Sequence, residues 1–286
     1  MTSTSFQGAI QASCTLLLLS GLLTAQTFAK DAHAMKGSVL LDPRGAETAF
    51  TYRGRRGPAF WAKLDSEWSK CAEGTSQSPI DVTGRQSESL PGIRFDYKPS
   101  PIRVLNNGHT VEFVYQAGSF LHLGERAFEL IQFHFHTPSE HTFHGGARFP
   151  VELHLVHKDE SGAIAVVGIM LVEGERNRAT FGGRLLGQML PREPGMIHEF
   201  NETIDAGELL PEQLANYRYR GSLTTPPCSE QVHWVVLRDP AEMSANHLQE
   251  LRQALNQLQF ASGTGTNNRP TQPLNGRSVL FDGGVR

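Results

Sequence analysis

Three histidines give the strongest chemical signal in this sequence. His134 and His136 lie within Leu130–His136, where apolar and polar residues alternate as in a β-strand with one apolar face. Side chains two positions apart share a face of a strand, so both imidazoles point the same way. His154 lies in a second alternating stretch, Val151–His157. Antiparallel pairing of the two strands would bring all three imidazoles together as a metal site with an open fourth position.

Spacing alone leaves two kinds of metal site open. In the first, Glu152 shares the strand face of His154 and accepts a hydrogen bond from its second ring nitrogen, which orients the ligand. The second is a cupin-type metal oxygenase, in which the spacing His134-x-His136-x3-Glu140 would make the glutamate a ligand. Pro194-Gly195-x2-His198 resembles the second cupin motif, but its intervals do not match, and a cupin would leave His154 without a role.

The composition indicates what kind of scaffold positions these residues. The chain has 286 residues, enough for a large core, and its 28 glycines and 16 prolines separate many short apolar runs. A net charge of −3 with mixed signs gives no electrostatic case for binding nucleic acid or an anionic membrane surface. We expect a single-domain, mainly β (α+β) fold, with a large twisted, mostly antiparallel sheet and a few peripheral helices.

The patterning predicts several individual elements. Successive strands are expected from Ile93 to Val172, the last of them buried on both faces. Short helices are expected over Pro58–Trp68 and Gly182–Leu190, and a loop over Pro194–Pro211. One longer helix begins at a Ser244 cap and carries apolar residues at helical spacing, namely Leu248, Leu251, Leu255 and Leu258.

Residues 1–34 are interpreted as an export signal. Thr15–Leu23 is apolar but too short to span a bilayer, and Ala32-His33-Ala34 offers a small-x-small cleavage site, with Ala29 as the alternative. We therefore expect a mobile lead-in over residues 35–51, one domain over residues 52–286, no membrane anchor, and a periplasmic or secreted protein. Two cysteines remain after cleavage, Cys71 and Cys228, and an even pair in an exported chain favours a disulfide over two unrelated thiols.

Many ordered segments of the chain resemble the α-class carbonic anhydrases, and the exported bacterial type in particular. The resemblance runs from about Tyr52 to Arg277. The matching segments are Gly57-Pro58 with Trp61, Gln77-Ser78-Pro79-Ile80-Asp81, Asn106-Asn107-Gly108-His109, Gln132-Phe133-His134-Phe135-His136, Ser139-Glu140-His141, Glu152-Leu153-His154-Leu155-Val156-His157, Gly221-Ser222-Leu223-Thr224-Thr225-Pro226-Pro227 and Asn267-x-Arg269-Pro270.

The resemblance implies a role for each matching residue. His134, His136 and His154 would bind Zn²⁺, and Thr224 with Glu140 would orient the zinc-bound hydroxide. His109 would carry the proton to solvent. The other implied groups are the partners of the zinc ligands (Gln132, Glu152 and the carbonyl of Asn267), the carbon dioxide wall (Val156, Val166, Leu223, Thr225, Val232 and Trp234), the supports of the proton path (Tyr52 and Asn107), the disulfide Cys71–Cys228, and cis peptides at Ser78–Pro79 and Pro226–Pro227.

The implied activity is the reversible hydration of carbon dioxide to bicarbonate and a proton. Carbonic anhydrases are the standard example of zinc lowering the pKa of bound water to about 7, which makes hydroxide available at neutral pH. A histidine with a pKa near 6.5 suits the proton relay. The family also includes non-catalytic binding modules that have lost zinc ligands, but this chain retains all three. The sequence is also compatible with a homodimer.

Overall fold

The structure, a computed structural model, describes residues 37–40, 50–83, 86–87, 90–175, 180–181, 184–185, 189–257 and 266–284. All of these residues belong to one compact unit, Ala34–Arg286. The predicted export signal, residues 1–34, lies outside the described residues. Within the expected lead-in, residues 37–40 form a paired strand and Phe50 is buried.

Strands are the main regular secondary structure of the described residues, as predicted. The strands are β1 Gly37–Leu40, β2 Asp81–Val82, β3 Gln86–Ser87, β4 Ile93–Asp96, β5 Ser100–Asn106, β6 Val111–Val114, β7 Phe120–Leu123, β8 Arg126–His136, β9 Thr142–Phe143, β10 Val151–Lys158, β11 Ile164–Glu173, β12 Thr180–Phe181, β13 Arg184–Leu185, β14 Met196–Ile204, β15 Asn216–Ser222, β16 Glu230–Leu237, β17 Ala241–Met243 and β18 Leu280–Asp282.

Fourteen of these strands form one large twisted sheet within the described residues. Its main path runs β1-β14-β5-β6-β8-β10-β11-β16-β15-β18-β3, with β7 beside β8, β4 beside β7, and β17 beside β11. Pairing is antiparallel except at β11–β16, β11–β17 and β18–β3. Two small pairs, β12–β13 and β2–β9, complete the β-structure, and the predicted single-domain, mostly antiparallel fold is confirmed.

In the part of the chain that the structure describes, the helices are few and peripheral. Those of α type are α1 Trp61–Leu64, α2 Lys70–Glu73 and α3 Ala245–Gln257, and the 3₁₀ turns are Gly54–Arg56, Pro58–Phe60, Ser66–Trp68 and Ala206–Leu209. Helix α3 begins as predicted, because the Ser244 carbonyl accepts a hydrogen bond from the Leu248 N–H at 2.9 Å. The predicted Leu258 lies outside the described residues. None of the helices in the described ranges is both long enough and apolar enough to cross a bilayer.

Two local predictions were wrong. Residues 196–204, expected to be a loop, form β14 along β5, with a bulge between Glu199 and Thr203 that breaks the polar–apolar alternation. Within Gly182–Leu190, expected to be a short helix, Arg184–Leu185 instead pairs with Thr180–Phe181 as β13, although Met189 is helical. In both places the partner strand supplies the backbone hydrogen bonds, and the local sequence carries no sign of that partner.

The main core lies on the face of the sheet opposite the histidines. Phe133 and Phe135 of β8 and Leu153 of β10 are buried there, and Phe133 stacks on Phe113 at 4.6 Å between ring centroids. The alternation in β8 predicts that Ile131 shares this face with Phe133 and Phe135, but Ile131 is 42% exposed. The β8–β10 pairing shifts register at this point, which leaves Ile131 as the extra residue of a bulge.

Candidate functional site

The three histidines converge because of the register between β8 and β10. His154 is paired directly opposite His134, and His136 lies two residues further along the same face of β8. The ring centroids are 5.0 Å apart for His134–His136, 5.3 Å for His134–His154 and 4.5 Å for His136–His154. One nitrogen from each ring lies within 4.8 Å of the other two. The predicted strand pairing is therefore confirmed, and it creates a cluster of three nitrogen donors.

Each imidazole uses its other nitrogen to hydrogen-bond a neighbouring oxygen. Carbonyl and carboxylate oxygens only accept, so each of these ring nitrogens carries the proton and the remaining nitrogen keeps a free lone pair. The free nitrogens are thus Nε2 on both histidines of β8 and Nδ1 on the histidine of β10. The three bonds run from His134 Nδ1 to Gln132 Oε1 (2.8 Å), from His136 Nδ1 to the Asn267 carbonyl (2.6 Å) and from His154 Nε2 to Glu152 Oε1 (2.8 Å).

Burial favours the neutral form of the two histidines of β8. It lowers the pKa of His134 well below its usual value, and the pKa of His136 is lowered for the same reason. Neutral imidazoles are the form that binds a metal ion. His136 Nε2 is also buried without any hydrogen-bond partner, and a buried polar atom left in this way calls for a bound group such as a cation.

Glu152 ties the third histidine to a second histidine behind it. Its Oε1 accepts from both His154 and His141 Nδ1, the latter at 2.6 Å, and its Oε2 accepts the backbone N–H groups of Glu140 and His141. Although burial alone would raise the pKa of Glu152, His141 and His154 hold it well below its usual range. His141 Nε2 bonds the Tyr219 hydroxyl at 2.8 Å, so both of its nitrogens are occupied and it serves as a support.

Glu140 is fully buried beside the cluster, with one oxygen free. Its Oε1 accepts the backbone N–H of Arg269 at 2.7 Å, while Oε2 has no hydrogen-bond partner and lies 3.5 Å from His136 Nε2. Two groups of possible metal ligands occur among the described residues, His134–His136–His154 and His141–Glu152–His154, and Glu140 belongs to neither. His198, the other residue of the cupin interpretation, lies in β14 and bonds the Met189 carbonyl. The geometry therefore disfavours a cupin.

Thr224 lies in the loop between β15 and β16, and several contacts fix that loop. The Leu223 N–H bonds the Ser229 carbonyl at 2.9 Å, and the Cys228 N–H bonds the Thr225 carbonyl at 2.8 Å. The predicted cis peptides at Ser78–Pro79 and Pro226–Pro227 are both present. The predicted disulfide is present as well, with 5.1 Å between the Cα atoms of Cys71 and Cys228. The Thr224 hydroxyl forms no hydrogen bond with Glu140 in this structure.

The residues of the predicted apolar wall pack together. Val166, Val232 and Trp234 are buried in one cluster, against which Val156 and Leu223 pack. Strand register explains this arrangement, because β10, β11 and β16 are adjacent and Val166 pairs with both Val156 and Trp234. The Trp234 ring lies 4.9 Å from the His154 ring, so the wall borders the histidines. Thr225 is half-buried in the neighbouring loop.

His109 is less exposed than a relay residue would be expected to be. It follows Asn107 in the turn between β5 and β6, and Asn107 Oδ1 accepts its backbone N–H at 2.9 Å. Its ring stacks on Phe50, with 3.8 Å between centroids and 12° between planes. Burial lowers the pKa of His109 to about 4, well below the expected 6.5. Tyr52 is buried nearby, packed against Phe50, and its hydroxyl has no hydrogen-bond partner.

Arg269, a buried residue for which the sequence predicts no role, connects the parts of the site. Its backbone holds Glu140, its Nη1 donates to Gln77 Oε1 and to the Ser78 carbonyl, and its Nη2 donates to the Cys71 carbonyl. Its guanidinium lies 5.5 Å from the Trp61 ring centroid. An arginine between an asparagine and a proline was visible in the sequence, but its partners lie far away along the chain.

Comparison with known proteins agrees with this geometry. Residues 56–282 match the family model described as eukaryotic-type carbonic anhydrase. A carbonic anhydrase of Neisseria gonorrhoeae is 39% identical over 240 residues, which is 82% of this chain and 89% of the relative. One from a Nostoc species is 38% identical over 250 residues, 85% of this chain and 90% of the relative. A solved structure of the α-carbonic anhydrase of Thermovibrio ammonificans with the inhibitor sulfanilamide is 38% identical and has a TM-score of 0.72, covering 81% of this chain and 98% of that one.

Proposed function

The chain belongs to the family of eukaryotic-type carbonic anhydrases, and on that premise we propose that its three converging histidines hold Zn²⁺ and that the residues around them direct the hydration of carbon dioxide at that ion. It is an enzyme whose substrate and product are carbon dioxide and bicarbonate. The observation that carries the zinc assignment is the set of three converging imidazoles, each with its second nitrogen already engaged.

Zinc suits this donor set. His134 and His136 would bind through Nε2 and His154 through Nδ1, since their other nitrogens donate hydrogen bonds. The buried, unpartnered Nε2 of His136 supports this fit. When bound, Zn²⁺ lowers the pKa of water in its open position to about 7, for which carbonic anhydrases are the standard example, and so supplies hydroxide at neutral pH.

Glu140 and Thr224 would orient the attacking oxygen. Glu140 Oε1 is occupied by the Arg269 N–H, and its Oε2 is a free, buried acceptor. If the Thr224 hydroxyl donates its proton there, its oxygen can only accept a hydrogen bond from the nucleophile. The nucleophile then presents a lone pair to the substrate carbon, which is an orientation effect.

The apolar wall would hold carbon dioxide, a substrate without charge or hydrogen-bond donors. Val166, Val232 and Trp234 offer apolar surface next to His154, and Leu223 and Val156 extend it. Such a wall also excludes water from the face where carbon dioxide meets the nucleophile. We assign Thr225 to the same substrate-binding surface because it follows Leu223 and Thr224 directly in the loop between β15 and β16.

The proton would leave by way of His109. Stacked on Phe50, its imidazole is a weak base with a pKa of about 4. To accept a proton near neutral pH, the ring must turn out of this stack towards water, where a histidine has a pKa of about 6.5. The unpartnered Tyr52 hydroxyl and the side chain of Asn107 would order the water molecules between the site and His109.

We further propose that the protein is exported. Residues 1–34 would form the signal, cleaved after Ala34 or Ala29, and residues 52–286 the catalytic domain in the periplasm or outside the cell. The Cys71–Cys228 disulfide supports an oxidising destination. A homodimer remains a prediction.

Stopped-flow carbon dioxide hydration, with zinc content measured on the same samples, tests the proposal. We expect about one zinc per chain in the parent, and loss of both zinc and most activity in His154→Ala. His144→Asn, at an exposed histidine, is the matched control and should retain both. Full activity in His154→Ala would refute the assignment, and zinc binding without hydration in the parent would instead favour a non-catalytic module.

A further inference from the structure

A cavity lies on the reverse side of two strands that border the proposed catalytic site. Tyr219 and Trp234 are paired across β15 and β16, and their rings pack on His141. The neighbouring pair, Arg220 and His233, therefore projects from the opposite face of the sheet. There it lines a cavity of about 410 Å³. Cavities of roughly 300–1,000 Å³ are the size that holds small molecules.

One rim of this cavity is built from two arginines that share a histidine. Arg220 Nη1 lies 2.5 Å from His233 Nε2, and Arg126 Nη1 lies 3.2 Å from the same nitrogen. Guanidinium groups only donate, so the neutral imidazole accepts from both and holds two positive charges side by side. Burial, followed by the two arginines, lowers the pKa of His233 to about 4, so it adds no third charge at neutral pH.

Only part of this positive charge is neutralised. Arg126 Nη2 pairs with Asp159, and Arg218, further along the lining, pairs with Asp282 at 3.0 Å. Within the described part of the chain, Arg220 has no carboxylate partner, and only its Nη1 makes hydrogen bonds, to His233 and, at 3.4 Å, to the Gln231 carbonyl. Its remaining N–H donors are free for an anion. Two guanidinium groups held this close also repel each other, and a bound anion would offset that repulsion.

The rest of the lining is apolar. Leu123 of β7 and Leu280 of β18 are half-buried in the cavity wall, and Leu90 and Pro91 close one side. A purely inorganic anion would leave this surface facing water, whereas a ligand with an apolar body would cover it.

From these contacts we propose that the cavity binds a small organic anion, with its carboxylate on Arg220 and Arg126 and its apolar body against Leu123 and Leu280. The site is separate from the metal-binding histidines, because it lies behind the β15–β16 pair. It does not depend on the proposed zinc chemistry.

Fluorine NMR titration of the zinc-loaded protein tests this proposal, with 4-fluorobenzoate as the anion and 4-fluorobenzyl alcohol as its neutral analogue. We expect the anion to bind at least about tenfold more tightly than the alcohol, because only the anion forms charge-assisted hydrogen bonds. Arg220→Gln should weaken anion binding by about tenfold or more. Repeating the titration after chelating the zinc removes any binding through the metal, and the cavity signal should persist.

Arg103→Gln is the matched control. Arg103 is an exposed arginine of β5, paired with Glu199 of the adjacent strand β14, and it does not line the cavity. It should leave the titration unchanged. Arg220 is exposed, so its variant is expected to fold, and circular dichroism with a thermal melt checks this. Arg220→Lys, which keeps the charge but loses the forked donors, should bind with intermediate affinity. Unchanged affinity in folded Arg220→Gln, equal binding of the alcohol, or no binding to the parent at millimolar anion would each overturn the proposal.

Discussion

Removing the disulfide gives the most quantitative test of how the Thr224 loop, between β15 and β16, is held in place. The bond joins α2 to the loop before β16 across a sequence separation of 157 residues. In the chain-entropy model, closing a loop of this length stabilises the native state by about 5 kcal/mol, and measured values are often lower. We therefore expect Cys71→Ala/Cys228→Ala to lower the free energy of unfolding by about 2–5 kcal/mol.

The loss of stability should arise mainly because the unfolded chain gains conformational freedom without the disulfide. Gln77 Nε2 still bonds the Cys228 carbonyl at 3.1 Å, and Arg269 still bonds the Cys71 carbonyl at 3.0 Å. Urea unfolding measures the change, with the metal removed from both proteins because a bound ion adds its own stabilisation. The parent treated with reductant is the control and should match the variant. A loss below about 1 kcal/mol would refute the argument from loop length.

The same variant tests the connection to Thr224. Thr224 lies four positions before Cys228 in one loop, whereas the histidines lie on strands paired throughout. Hydrogen exchange of the loop should therefore increase, and hydration should slow, while zinc content is unchanged. Equal exchange of the backbone amides at positions 225 and 228 in parent and variant would show that the noncovalent contacts alone hold the loop.

Three other changes probe the remaining parts of the site. Thr224→Ala should reduce the rate of carbon dioxide hydration by about a hundredfold with zinc retained, since it removes one preorganised hydrogen-bonding group. Thr224→Ser should recover most of the rate. Parent-like activity in Thr224→Ala would rule out the orienting role. His109→Ala should slow turnover in dilute buffer and recover in concentrated imidazole. NMR titration of the resting protein should show His109 neutral down to about pH 4. Between about pH 4 and 6.5 the folded state then binds fewer protons than the unfolded chain, so the contribution of His109 to stability falls as the pH is lowered through that window. A titration of His109 near pH 6.5 would contradict its stacking on Phe50. Arg269→Met should lower stability by about 3–5 kcal/mol, because buried acceptors lose their donor, whereas Arg103→Gln should change it little.

Local patterning predicted the parts of the site that depend on strand geometry. Alternation in β8 and β10 predicted which side chains share a face, and the register seen in the structure then places His154 opposite His134. The same alternation placed Ile131 in the core, which is wrong because a bulge arises from two strands together.

Long-range contacts account for the rest. The low pKa of His109 depends on Phe50, a residue of the segment expected to be a mobile lead-in. The role of Arg269 depends on Cys71, Gln77 and Ser78, nearly two hundred positions away. The cavity behind β15 and β16 gathers arginines from separate strands, and no motif marks it. Such properties belong to the folded topology and have no local signature.

Zinc coordination tests the central claim most directly. A crystal structure of the zinc-loaded protein, with anomalous data at the zinc edge, should place the ion on His134 Nε2, His136 Nε2 and His154 Nδ1. These bonds should be about 2.0–2.1 Å long, and the fourth position should hold no protein atom. This mixed set of nitrogens follows from the hydrogen bonds to Gln132, the Asn267 carbonyl and Glu152. A metal bound through Glu140 or Asp159, or an iron site in place of zinc, would contradict the account.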